Sequence, residues 1–237
     1  MEKYLKIVLA ALVVGFIALA IWAFSQSNNK DEKVDYTSYN AYGIIEGDEN
    51  NGNIGDQVRG KKDSKIVVLE YSDFECPGCA GAQNRINKIY DKYKDKVAFV
   101  SRSLKVHDHA MIAAQAATSA SLQGKYWEMA DKLFENQAEW SDETLTDEDR
   151  VNMFQDYFRA IAPDGNIEAF KRNINSKKVI KKVNFDNELG SKIINVSETP
   201  SFYINGEKFE IIDQHFENDE DFINKFNSKV DEALKNS

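Results

Sequence analysis

Cys76-Pro77-Gly78-Cys79 holds both cysteines of a 237-residue chain. Two thiols at this spacing can close one disulfide, and the pair can give or take two electrons by thiolate attack on sulfur. A structural bridge explains the spacing poorly, because a disulfide stabilises by closing a long loop of the unfolded chain and two intervening residues close almost none. The rival from another class of chemistry is a Cys2His2 metal site made with His107 and His109. His-x-His is not the usual finger spacing, and Pro-Gly between the cysteines suits redox use better. No metal ligand is assigned, and exchange between sulfurs asks for no cofactor.

Thiol chemistry needs a position that favours the thiolate. "KIVVLEYS" at 65–72 is a β-branched apolar run of buried-strand length, and Pro77 to Tyr93 has helical spacing through Ala82, Ile86, Ile89 and Tyr93. The cysteines therefore fall where a strand hands over to a helix. Cys76, at the helix start, meets unpaired N–H groups and the positive end of the dipole, which predicts an attacking Cys76 and a shielded, resolving Cys79 one turn inside. Pro77 is tolerated there because its missing N–H would be unpaired anyway. Glu70, six residues before Cys76 on the strand, could exchange a proton with Cys79 if it faces inward. Strand alternation alone leaves an outward-facing Glu70 equally open.

"VAFVSRS" at 97–103 predicts a second strand, hence a βαβ unit with a parallel pair and a right-handed crossover. An alanine-rich helix over 108–122 follows, then a helical face through Tyr126, Ala130, Leu133 and Phe134. Thr146 to Asp149 has capping-box form. A helix over Ser176–Leu189 is expected to close at Gly190. Strands at 200–204 and 207–212 flank Asn205-Gly206, a type I′ turn dipeptide. Residues 219–235 form a terminal amphipathic helix whose Phe222, Phe226, Val230 and Leu234 should cover the sheet.

The N-terminus is different material. Residues 7–24 carry no charge, Lys3 and Lys6 precede them, and Trp22 lies near the far end, the pattern of a membrane helix over residues 1–24 with its N-terminus inside. A cleaved signal ending near Ala18-Leu19-Ala20 competes; the length of the apolar run favours an uncleaved signal anchor. Residues 25–60, rich in Asn, Asp and Gly, read as a polar linker, although Tyr36, Tyr39 and Tyr42 leave open a short docked segment. With 42% hydrophobic residues, 29% charged residues and a net charge of −9, the remainder is globular and acidic. An acidic chain without a basic stripe argues against a nucleic-acid partner.

Three segments together resemble the DsbA-like branch of the thioredoxin superfamily, the exported thiol:disulfide oxidoreductases. "VVLEYSDFECPGCAGAQ" is similar to their active-site segment, "AAQAATSASLQGKYWEMADKLFENQ" to their inserted helical domain, and "VSETPSFYINGEKF" to the segment with their cis-proline loop and last two strands. The resemblance implies an α/β thioredoxin fold over 61–105 and 181–237, split by an all-helical insertion at 106–180. It places the nucleophile on Cys76, the resolving cysteine on Cys79, the buried acid on Glu70 and the cis-proline on Pro200. Pro77, Gly78, Thr199 and Pro200 would form the active-site loops, with the Thr199 backbone pairing with an extended substrate.

The implied function is a protein disulfide oxidase at the cell membrane, its catalytic domain on the extracytoplasmic side. It would act on unfolded exported proteins with free thiols, and a quinone-linked membrane partner, DsbB-like or vitamin K epoxide reductase-like, would reoxidise it. A reductase or isomerase of the same fold is the alternative; a membrane-tethered chaperone or metal-binding module is the alternative of another class. Two positions depart from the family pattern. Gly78 stands where strongly oxidising members carry His, and Glu198 where Gly usually precedes Thr-Pro. The Glu198 carboxylate is expected to raise the Cys76 pKa or to select substrates by charge.

Overall fold

The computed structural model describes Gly15, residues 34–210 and residues 218–236. The anchor expected over 1–24 lies outside the described residues apart from Gly15, as does His215, and among the described residues no helix is long and apolar enough to cross a membrane. Residues 1–35 separate from residues 36–237, and the latter unit carries the fold.

Five strands, β1 (Gln57–Gly60), β2 (Val67–Ser72), β3 (Ala98–Ser103), β4 (Ser201–Ile204) and β5 (Glu207–Phe209), form one sheet in the order β1-β3-β2-β4-β5. β2 and β3 are parallel and the other pairings antiparallel. The helices are α1 (Pro77–Tyr93), α2 (Ala110–Ser121), α3 (Tyr126–Glu135), α4 (Gln137–Trp140), α5 (Asp147–Ile161), α6 (Ile167–Ile174), α7 (Lys177–Glu188) and α8 (Asp219–Lys235).

β2 is central, and every residue in it but Val67 is buried. Its two faces nonetheless see different cores. Val68 packs with Ile86 and Ile89 of α1 and with Phe222 and Phe226 of α8, while Leu69 and Tyr71 pack on the opposite face with Val100, Val196 and Tyr203. Glu70 and Ser72 alternate with Leu69 and Tyr71, so they point to the α1 side, beneath the cysteines. α2 is lined by buried alanines at 110, 113, 114, 116, 117 and 120, whose small side chains admit close neighbours, and Ser119 Oγ donates to the Phe170 carbonyl of α6 at 2.7 Å.

Local signals produced the expected local structures. Thr146 and Asp149 make a reciprocal capping box at α5. Asn205 and Gly206 take φ of 49° and 86°, the left-handed pair a type I′ turn needs.

Three expectations are corrected. Residues 36–60 do not lie in a linker. Tyr36 and Tyr39 pack on Phe185 at ring distances of 5.4 and 4.9 Å, and β1 pairs along β3. The cause is Asp56, fully buried between Arg102 at 2.6 Å and Lys182 at 3.0 Å. Gly190 does not end α7, which continues as a π-turn over Leu189–Ile194 and stops at Asn195, where φ is 59°. A Cβ on Gly190 would meet the Tyr71 ring at 2.5 Å, so the glycine serves close packing of helix on sheet. α7 also runs through the boundary expected between 180 and 181.

Burial raises the cost of charge on Asp56, yet Lys182 and Arg102 overcome it and hold its pKa near 2, below the ordinary 3.8. The ion pairs thus stabilise the fold above about pH 4 and lose their effect as pH falls through about 2. Asp56→Asn leaves two buried cations short of a counter-charge and is expected to cost about 3 to 5 kcal/mol in urea unfolding at pH 7. Deleting residues 36–56 should destabilise comparably, whereas deletion within a linker would leave the midpoint where it was.

Candidate active site

Cys76 is the N-cap of α1, with extended φ and ψ of −74° and 119°, and Pro77 is the first helical residue. The Cys76 carbonyl accepts from the N–H groups of Cys79 at 3.0 Å and Ala80 at 3.2 Å. This geometry aims the open end of the helix at the Cys76 sulfur and draws Cys79 into the first turn. Cys76 is 8% exposed and Cys79 1%, and both are free thiols.

The two sulfurs are electrostatically unequal. The Cys76 pKa is lowered to about 5, first by a hydrogen bond from the Cys79 thiol; burial opposes the shift, and Thr199 with the N–H groups of Cys79 and Gly78 adds to it. Burial, and next the neighbouring Cys76, push Cys79 far upward. Near neutral pH the pair carries one proton, and it sits on Cys79.

The facing loop is 199–200, and the Thr199–Pro200 peptide is cis. Cys76 Sγ lies 3.3 Å from the Thr199 carbonyl oxygen, and the Thr199 hydroxyl is buried. A Cβ built on Gly78 would meet Cys76 Sγ and Pro200 Cδ at 3.5 Å, ordinary contact, so Gly78 leaves space between nucleophile and proline that a side chain could enter.

Glu70 lies on β2 between Ser101 of β3 and Phe202 of β4. Burial raises its pKa to about 7, against smaller downward pulls from Arg59 and Ser72. Arg59 reaches in from β1, its guanidinium 4.3 Å from the ring centres of both Tyr90 and Trp127. Arg59, Glu70 and Trp127 line a cavity of about 10 Å³, near the minimum for a single water.

The loop before Cys76 is fixed from two sides. Asp73 Oδ2 accepts from the backbone of Val106 and His107 at 2.9 and 2.8 Å and lies 3.0 Å from His107 Nδ1. Glu75 engages His109 in the same way, at 2.6 Å to its N–H and 2.8 Å to Nδ1. The bond to Asp73 raises the His107 pKa, with burial opposing. From the helical block, Gln137 Nε2 donates to the carbonyls of Phe74 at 2.7 Å and Cys76 at 3.1 Å.

Cys76, Pro77, Gly78, Cys79, Glu70, Thr199 and Pro200 thus converge around one pair of sulfurs. Glu198 does not join them. Lys208 Nζ pairs with its carboxylate at 3.4 Å, and the influences that set the Cys76 pKa come from Cys79, burial, Thr199 and Gly78. Sequence reasoning missed Arg59, Ser72, Asp73, Glu75 and Gln137. One signal for two of them was present: Asp73-x-Glu75 and His107-x-His109 share a two-residue spacing, as complementary residues on adjacent extended segments would.

The sequence profile of the thioredoxin family matches residues 52–225. Na(+)/H(+) antiporter NhaA 1 of Mycolicibacterium vanbaalenii is 35% identical over 158 residues, covering 64% of this chain and 23% of the antiporter. The chain spans about a quarter of the length of the curated relatives it matches. Among solved structures, oxidised BdbD of Bacillus subtilis aligns with a TM-score of 0.63 at 23% identity, over 81% of this chain and 99% of that one. Wolbachia pipientis alpha-DsbA1 aligns with a TM-score of 0.59 at 19% identity, over 76% and 92%. At these identities the likeness to the solved structures is one of fold.

Two outcomes follow from the charge arrangement. The folded chain holds a proton on Glu70 that the unfolded chain releases, so stability falls as pH rises from about 4.5 to 7 and stays lowered above. Glu70→Gln should remove that fall and, above pH 7, stabilise the reduced protein by about 3 kcal/mol in urea unfolding. Because the Cys79 thiol is the largest influence lowering Cys76, Cys79→Ala should move the ultraviolet thiolate titration of Cys76 upward from its midpoint near 5. An unmoved midpoint would assign the low value to the helix start and Thr199.

Proposed function

The chain belongs to the thioredoxin family, and from that premise we propose that it is a DsbA-type thiol:disulfide oxidoreductase working outside the cytoplasm as an oxidase of unfolded exported proteins. The observation that carries this reading is the split between the sulfurs: a Cys76 thiolate beside a protonated, buried Cys79. Whatever stabilises that thiolate stabilises the reduced form, and a stabilised reduced form makes the disulfide a stronger oxidant.

In the proposed reaction a substrate thiolate attacks Cys76 Sγ of the disulfide. The new S–S bond forms as the Cys76–Cys79 bond breaks, and its electron pair leaves on Cys79. A second substrate thiolate then attacks the substrate sulfur of the mixed disulfide, and Cys76 departs as a thiolate, a good leaving group at its low pKa. The substrate has lost two electrons and the CPGC pair has gained them. Backbone pairing at Thr199, beside the cis-proline, would hold an extended substrate without demanding a particular sequence. Reoxidation would come from a quinone-linked membrane partner, DsbB-like or vitamin K epoxide reductase-like, near which a membrane helix over 1–24 would keep the enzyme. The exposed Glu198–Lys208 pair at the rim is left with charge selection among substrates.

Gly78 favours the second reading, a reductase, because no ring lies between Cys76 and Pro200 to assist the thiolate. The reduction potential decides between them. Equilibration with glutathione redox buffers should give a value well above the roughly −270 mV of thioredoxin, and a value near it would assign the reductase direction. Gly78→His, for which there is room, should raise the potential further. Cys76→Ser should abolish turnover on a reduced, unfolded substrate, whereas a tethered chaperone would keep its activity.

A further inference from the structure

The departing Cys79 sulfur needs a proton, and Glu70 is a buried acid on the α1 side of β2 that holds one to about pH 7, yet among the described residues no hydrogen bond joins the two. Between them stands Ser72. Its side chain shares the α1-facing side of β2 with Glu70, two residues and roughly 6.6 Å along the strand. It is 4% exposed, and its Oγ is buried without a hydrogen bond of ordinary geometry, set between two groups whose charged forms it favours. A buried hydroxyl left unpaired is costly and calls for an explanation in the chemistry of the site. Ser72 acts on both neighbours, opposing the upward shift of Glu70 on one side and of Cys79 on the other. The other hydroxyl beside Glu70, that of Ser101, is already engaged with Tyr126 at 3.1 Å.

We propose that Ser72 relays the proton between Glu70 and Cys79. As the Cys76–Cys79 bond breaks and Cys79 leaves as a thiolate, Ser72 Oγ–H gives its proton to Cys79 Sγ and takes the proton of the Glu70 carboxyl. Cys79 ends as a thiol, Ser72 is unchanged, and Glu70 becomes a carboxylate facing the Arg59 guanidinium. In reverse, the same path deprotonates Cys79 for its attack on a mixed disulfide. The hydroxyl lacks a hydrogen bond of ordinary geometry in the resting site because its partner is the charge that exists only during exchange. The titratable groups facing Glu70 are Arg59 from β1, Tyr126 from α3 and, through Ser72, Cys79 from α1.

This relay rests on the oxidoreductase reading, and the test separates the two. The oxidised full chain is reacted with glutathione across pH, and the rate is expressed per glutathione thiolate. In the unmodified chain this rate should fall as pH rises through about 7, where Glu70 gives up its proton. Ser72→Ala should slow the reaction about tenfold and erase that pH dependence, Ser72→Thr should restore both, and Glu70→Gln with Ser72→Ala should be no slower than Glu70→Gln alone. Should Ser72→Ala fail to fold, the rate of the unmodified chain against deuterium fraction decides: a curved dependence marks two protons in flight, and a straight line overturns the relay. It is also overturned if Ser72→Ala keeps the original rate and profile, or if the two losses multiply. If the unmodified chain does not exchange with glutathione at all, the oxidoreductase reading falls and the relay with it.

Discussion

Two sulfurs share one proton at the start of α1, and the surroundings keep that proton on Cys79. The N-cap position presents open N–H groups to Cys76, burial penalises charge on Cys79, and Thr199 faces only the outer sulfur. The groups beneath the sulfurs depend on the register of β2. A one-residue slip would turn Glu70 and Ser72 to the Tyr71 side and bring Leu69 and Tyr71 beneath the cysteines. The registers of β2 against β3 and β4 therefore set the chemistry as much as the CPGC motif does.

The carboxylates divide into two groups with opposite roles. Glu70 is buried beside a single cation and holds its proton to about pH 7, which suits an acid. Asp73 and Glu75 lie in the loop before α1, where they accept from backbone N–H groups and meet the imidazoles of His107 and His109, and they fasten that loop. Asp56 is ionised because two cations were buried with it.

What could be read from the chain was whatever depends on near neighbours. α1 begins at Pro77 and ends at Tyr93 as its apolar spacing predicts, and the Thr146 cap and the Asn205-Gly206 turn are written in a few adjacent residues. What escaped depends on distant partners. β1 is only Gln-Val-Arg-Gly, too short and polar to resemble a strand until β3 lies beside it. Asp56 reads as one more acid in a polar stretch until Arg102 and Lys182, 46 and 126 residues on, meet it. Gly190 carries the mark of a helix stop, and only the Tyr71 ring gives it another purpose. Glu198 looks like a tuning charge until Lys208, ten residues later, takes hold of it.

Gln137 binds two carbonyls of the CxxC loop from the first residue of α4. The helical block is thus part of the machinery and cannot be handled as a detachable lid. A minimal scaffold that kept the sheet, α1 and the 199–200 loop but trimmed α2 to α6 would leave the Phe74 and Cys76 carbonyls without this donor. For engineering, the portable unit is larger than the motif: loop, facing proline and the amide that holds the loop from across the chain travel together.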